Sequence, residues 1–120
     1  MDKTKNKNTG NVGEQIACDY LVSIGYEIIE RNLKLICGEV DILAQNKNVI
    51  VIVEVKTVRG SGFGLAQELV RYKKQKKLLN LARAIAQKFP NQDLRIDVIG
   101  VSLDYYPPKV EHIISAVDGQ

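Results

Sequence analysis

Histidine and cysteine are nearly missing from this sequence. His112 is its one histidine and Cys18 and Cys37 its two cysteines in 120 residues. The cysteines have no metal-ligand spacing, which argues against a zinc site and against a disulfide framework, so both are expected as small buried thiols. A Ser-His-Asp or Cys-His mechanism would have to rest on a single imidazole. No apolar run approaches the length of a membrane-spanning helix, and the N-terminal MDKTKNKNTG lacks the apolar core of a secretory signal. These absences lead to the expectation of a soluble cytoplasmic protein.

Acid is also missing from one stretch. RYKKQKK, residues 71–77, holds Arg71, Lys73, Lys74, Lys76 and Lys77 with no Asp or Glu among them, and the N-terminal segment adds Lys3, Lys5 and Lys7. The formal net charge of +3 is therefore concentrated, and the rest of the chain is net acidic. Clustered bases suit a polyanion, because neutralising phosphates releases condensed counterions. A solvated helix face is the plain alternative for a lysine run taken alone.

The length fits one domain able to bury a core without metal or disulfide staples. A disordered basic tail is expected over residues 1–10, followed by the folded domain at 11–116. In residues 11–25, Val12, Ile16, Ala17, Tyr20, Leu21 and Ile24 recur at helical spacing, with Asn11 to cap the start and Gly25 to end it. Glu14 falls at the edge of that apolar stripe and can point along the core boundary into a cleft. YEIIERNLKLI, GEVDILAQ and NVIVIVEVKTV read as three strands, the last two joined by a tight hairpin at Asn46-Lys47. The third is continuously apolar, as a central strand buried on both faces would be. RGSGFG reads as a mobile loop, and residues 65–89 as one long helix with a core stripe of Leu78, Ala82, Ile85 and Phe89. DLRIDVIGVSL and VEHIIS supply a fourth strand and a short edge strand. The order is αβββαββ, an α/β (α+β) fold with a mixed central sheet flanked by helices.

Charge inside the second and third strands needs a reason. Residues of equal parity share a strand face, so Glu54 and Lys56 point the same way, as do Glu39, Asp41 and Leu43. A hairpin centred on Asn46-Lys47 sets Ala44 opposite Val49 and places Asp41 and Glu54 diagonally across one face, roughly 7–8 Å apart. Two carboxylates so close repel unless a cation lies between them. A hard ion such as Mg²⁺ or Mn²⁺ answers this, since it takes a few carboxylate oxygens and keeps waters or substrate phosphate. Lys56 beside it can orient a bound water and stabilise charge developing on phosphorus. An ion pair of Lys56 with these acids at a strand end, without chemistry, is the alternative.

Glu14, Asp41 and EVK at 54–56, in αβββα order, resemble the PD-(D/E)xK nuclease superfamily of restriction endonucleases and Holliday-junction resolvases. GEQIACDYLVSIGYEIIERNLKLICGEVDILAQ, VEVKTV, FGLAQELV and RIDVIGV resemble more closely its small YraN-type family, over residues 13 to about 114. The resemblance implies a restriction endonuclease-like fold, with Asp41 and Glu54 as metal carboxylates, the Val55 carbonyl as a further ligand, Lys56 as the signature lysine and Glu14 as the first-helix glutamate. Where it leads one to expect a base directly after EVKT, this chain has Val58 and then Arg59, which is taken as the substitute.

The expected function is thus a divalent-metal-dependent endonuclease acting on DNA, branched or structured DNA in particular. Arg59, Arg71, Lys73, Lys74, Lys76 and Lys77 are expected to contact the nucleic acid, and a homodimer would supply two clefts for two strands. A non-catalytic nucleic-acid-binding module on the same fold and a protein-interaction domain are the alternatives. Glu39 is expected at the rim, Asp97 in a structural role, and His112 packed or on the surface.

Overall fold

β3, Val49–Val58, is the strand on which the rest is organised. Ile50, Val51, Ile52 and Val53 are all at most 1% exposed, so neither face of this strand meets water. Each such side chain contributes roughly 1.5–3 kcal/mol when fully buried. The computed structural model describes residues 3–58 and 75–116, with side chains at 10–57 and 77–116. The described elements are α1 (Lys3–Ser23), β1 (Glu27–Leu35), β2 (Gly38–Asn46), β3, α2 (Gln75–Lys88), β4 (Asp93–Ser102) and β5 (Lys109–Ile113). This is the αβββαββ order expected from the sequence.

The sheet runs β1-β2-β3-β4-β5. β3 and β4 are parallel, joined by the crossover that contains α2, and the other neighbouring pairs are antiparallel. Even residues of β3 and β4 (Ile50, Ile52, Ile96, Val98) pack with Leu78, Leu81 and Ile85 of α2. The odd ones (Val51, Val53, Ile99, Val101) pack with Ala17, Cys18 and Leu21 of α1. Two helices thus cover opposite faces, as a sheet buried on both sides requires. No helix among the described residues is long and apolar enough to cross a membrane.

Three expectations need correction. α1 begins at Lys3, where a disordered tail and a helix start at Asn11 were expected. The segment upstream of Asn11 has no apolar stripe to signal a helix, but a helix nucleated by packing extends at low cost, one hydrogen bond per residue added. Cys37 is exposed in the β1–β2 turn, whereas Cys18 is buried as expected; both thiols are free. The β2–β3 turn is Lys47-Asn48, with Lys47 at φ 57°, and pairs Ala44 with Val51. The hairpin is therefore one residue out of step from the expected one. Arg59, Arg71, Lys73 and Lys74, the glycine loop, the start of the long helix and the side chain of Lys76 lie outside the described residues.

Candidate functional site

The regular β2–β3 ladder stops at Ile42 and Val53. Continuing its register brings Asp41 directly opposite Glu54 rather than diagonal to it. Beyond that point the strands splay, and Asp41 Oδ2 accepts a 2.9 Å hydrogen bond from the backbone N–H of Val55. A carboxylate therefore stands where the ladder would have supplied a carbonyl. In an extended strand a residue's N–H and C=O point to the same edge. The Val55 carbonyl accordingly faces the same gap as Asp41.

β1 is irregular at the same level. Asn32 adopts φ 52°, between the pairs Arg31–Ile42 and Leu33–Val40, which places it across from Asp41. Asn is among the few residues that accept this left-handed conformation readily. The pleat is not kept through Asp41 either: Ile42 packs on the α1 side and Val40 in the α2 cluster, although residues two apart in a regular strand share a face. The strand end is turned so that Asp41 and Glu39 both open into one cleft.

That cleft has a volume of about 190 Å³ and is lined by Glu39, Asp41, Glu54, Lys77, Leu78 and Leu81. Leu78 and Leu81 are buried leucines of α2, so one wall is apolar and the other acidic. Lys77 runs over Gly38, where an added Cβ would come within 3.1 Å of Lys77 Cε; this glycine, at φ 146°, keeps the lysine stem close to the acids. Lys56 is half-buried two residues beyond Glu54, paired with Gly100 across the β3–β4 ladder, and is not among the residues lining the cleft.

Glu14 arrives from the opposite face of the sheet. α1 crosses β3 closely at Gly13, where a Cβ would collide with the Thr57 hydroxyl and lie 3.3 Å from Thr57 Cβ. The next residue, Glu14, is thereby held at the open end of the strands. Burial pushes its carboxyl above the ordinary value; Arg31 and the Asn32 side chain pull it down, while the charges of Glu39 and Glu54 push it further up. Its Oε1 is buried without a hydrogen-bond partner. Glu14, Glu39 and Glu54 thus belong to one electrostatic neighbourhood. Among the described residues no three His, Cys, Asp or Glu side chains are grouped closely enough to cage an ion by themselves. The donors that remain are the Asp41 and Glu54 carboxylates, which line one cleft, and the main-chain carbonyl of Val55.

Sequence reasoning expected Asp41, Glu54, Lys56 and Glu14 at this cleft, with Glu39 at its rim and Lys77 on the basic helix as a nucleic-acid contact; of these, Glu39, Asp41, Glu54 and Lys77 line it and Lys56 does not. It missed Asn32 and Arg31, whose signal is weak: a lone Asn inside an apolar strand pattern. It also missed a second polar cluster on the α1 side. Asp97, fully buried, accepts hydrogen bonds from Arg95 Nε (2.8 Å) and Nη2 (2.9 Å), pairs with His112 Nε2 at 2.8 Å, and accepts from the Ser115 N–H (3.1 Å). Tyr20 Oη meets His112 Nδ1 at 3.0 Å, and Arg95 Nη2 donates to Tyr26 Oη at 2.6 Å. Neutral His112 satisfies both contacts if Nε2 carries the proton and Nδ1 accepts from Tyr20. Asp97 and His112 are thus structural partners, joined to β5 and the C-terminal segment.

A profile of the family described as Uncharacterised protein family UPF0102 matches residues 13–101. A UPF0102 protein of Caldanaerobacter subterraneus subsp. tengcongensis is 41% identical, over 97% of this chain and 99% of its own. Another, from Geotalea daltonii, is 40% identical over 97% of this chain and 94% of its own. Among solved structures, Pyrococcus furiosus SfsA in complex with Ca²⁺ aligns with 94% of this chain and 65% of its own, at 14% identity and a TM-score of 0.35, too slight a likeness to carry an argument.

Proposed function

The chain belongs to the uncharacterised protein family UPF0102, and from the donor set of its cleft we propose that it is a divalent-metal-dependent endonuclease of the PD-(D/E)xK type, hydrolysing phosphodiester bonds in DNA and favouring branched or structured DNA. The observation that carries this reading is the splayed end of β2 and β3. There Asp41 and Glu54 line one cleft and Asp41 binds the Val55 N–H, with Lys56 following Val55 on β3.

The residues present fit Mg²⁺ or Mn²⁺. Asp41 and Glu54 would hold the ion with the Val55 carbonyl, an all-oxygen set with few protein ligands, which suits a hard cation that keeps part of its water. Bound there, it would polarise a phosphate and make a coordinated water more acidic. The rest falls to the chain. Lys56, two residues beyond Glu54 on β3 and outside the cleft lining, would have to reach in with its long side chain to orient a water by hydrogen bonding and stabilise negative charge on phosphate oxygens. Glu14, reaching the same end of the strands from α1, adds a carboxyl to the electrostatic surroundings of the site. Lys77 on the cleft wall belongs to the basic run and meets the phosphate backbone. Leu78 and Leu81 exclude water from one side, which strengthens these interactions. On this reading the protein works in the cytoplasm, and a homodimer gives one cleft to each of two strands.

Calorimetric titration with MgCl₂ and MnCl₂ tests the site. Wild type is expected to give saturable heats that an Asp41→Asn, Glu54→Gln double variant, folded by circular dichroism, does not. Equal binding by the two would reject the donor set.

A further inference from the structure

The loop from β4 to β5 carries two adjacent tyrosines that neither the core nor the cleft uses. Tyr106 is 101% exposed and Tyr105 41% exposed, and neither belongs to a core cluster. Lys109 Nζ lies 4.0 Å from the centroid of the Tyr105 ring, a cation–π contact that occupies one face of that ring and fixes a positive charge at the foot of the same loop. Pro107 and Pro108 follow directly and restrict φ at both positions, so the loop loses little freedom on binding. A loop that carries both a free aromatic ring and a cation is suited to the face of a nucleobase and its phosphate.

The fold sets this loop at the end of the sheet where the cleft opens. β4 runs parallel to β3 with Glu54 paired to Val98, Lys56 to Gly100 and Val58 to Ser102, and the loop leaves from Ser102 onward. Tyr106 is eight residues past Val98, so even a fully extended chain puts it at most roughly 29 Å from the level of Glu54. That is about eight base steps of DNA.

We infer that Tyr106, fully exposed on the β4–β5 loop at the cleft end of the sheet, is a stacking site for an unpaired base of the DNA strand that enters the cleft. The inference rests on the nuclease reading and deepens it: the preferred DNA has unpaired nucleotides beside a duplex, as at a flap or a branch. Intact duplex offers no free base face to this ring except at its ends.

The test is fluorescence anisotropy of the full chain in metal-free buffer, so that no cleavage intervenes, with labelled single-stranded, flapped and blunt duplex DNA. Tyr106→Ala should weaken binding to the single-stranded and flapped DNA by roughly 5- to 150-fold, the range for one lost base–aromatic stack, and leave blunt duplex nearly unchanged. Tyr106→Phe, which keeps the ring, should restore wild-type affinity. Unchanged duplex binding also shows that the loop variant is folded. If Tyr106→Ala binds all three DNAs as wild type does, or weakens all equally, the stacking site is overturned and the nuclease reading stands. If wild type binds none of them, both fall.

Discussion

Replacing Asp97 by Asn should cost about 3 kcal/mol of stability. The carboxylate is completely buried and takes part in four polar contacts, with Arg95 Nε and Nη2, His112 Nε2 and the Ser115 N–H. Asn keeps the shape and can still accept at one oxygen, from Arg95 Nε and Ser115. Its amide nitrogen must then replace the oxygen that Arg95 Nη2 and His112 Nε2 approach, setting donor against donor, and the guanidinium loses its counter-charge. Removing one partner of a buried ion pair typically costs 3–5 kcal/mol. The lower end applies because the Arg95 side chain is 21% exposed and keeps Tyr26 Oη, so water and phenol recover part of the loss. Urea unfolding followed by circular dichroism measures this. With a slope of about 1–3 kcal/mol/M, the midpoint should fall by roughly 1–3 M without a change of slope. A loss below about 0.5 kcal/mol, the size of an ordinary surface substitution, would refute the reasoning.

The same cluster sets an acid limit. Burial pushes the Asp97 carboxyl up, but the bonds from His112, Arg95 and the Ser115 backbone outweigh it and hold the group below the ordinary carboxylate range. Its stability contribution is therefore complete above the unfolded value of about 3.9 and lost as pH falls from there through the lower folded value; Asp97→Asn should flatten that limb in a pH series of urea midpoints. Gly13→Ala should destabilise by up to about 2 kcal/mol in thermal unfolding, because overpacking against Thr57 (about 1–3 kcal/mol) exceeds the gain in helix propensity (about 1 kcal/mol), and Thr57→Ala should recover most of it. Recovery absent in the double variant would mean that α1 does not cross β3 at this contact. Lys77→Ala should weaken DNA binding across sequences and reduce the salt slope by about one, and an unchanged slope would return this lysine to the solvated-face reading.

What could be read in advance followed from local pattern. The continuous apolar run at 49–53 identified the central strand, and Leu78 and Ile85 fixed the buried face of α2 because helical spacing is visible in a short window. Strand parity put Asp41 and Glu54 on one face, and that survived the shift in hairpin register because moving the turn by one residue changes the pairing sum by two. The exact partnering did not survive, since Lys47-Asn48 and Asn46-Lys47 are equally plausible turns by composition. The break in the ladder at Asp41 was hidden because no local pattern marks it, and neither does one mark the left-handed Asn32, φ 52°, across from it in β1. The Asp97 cluster was hidden for a related reason: Tyr20 and His112 are 92 positions apart, and no local window joins them. Cys37 was misplaced because composition marks a free thiol as a core residue, whereas a turn residue follows the chain's path.

The central claim is tested most directly by incubating labelled linear, flapped and four-way DNA with the protein in Mg²⁺ or Mn²⁺, beside Asp41→Asn and Lys56→Ala, and resolving the products on a denaturing gel. The account predicts metal-dependent cutting by wild type, faster on the flapped and four-way substrates, and a loss of at least about 100-fold in both variants, the scale for removing one group that stabilises developing charge. No cutting of any substrate with either metal ion, or equal cutting by wild type and Asp41→Asn, would contradict it.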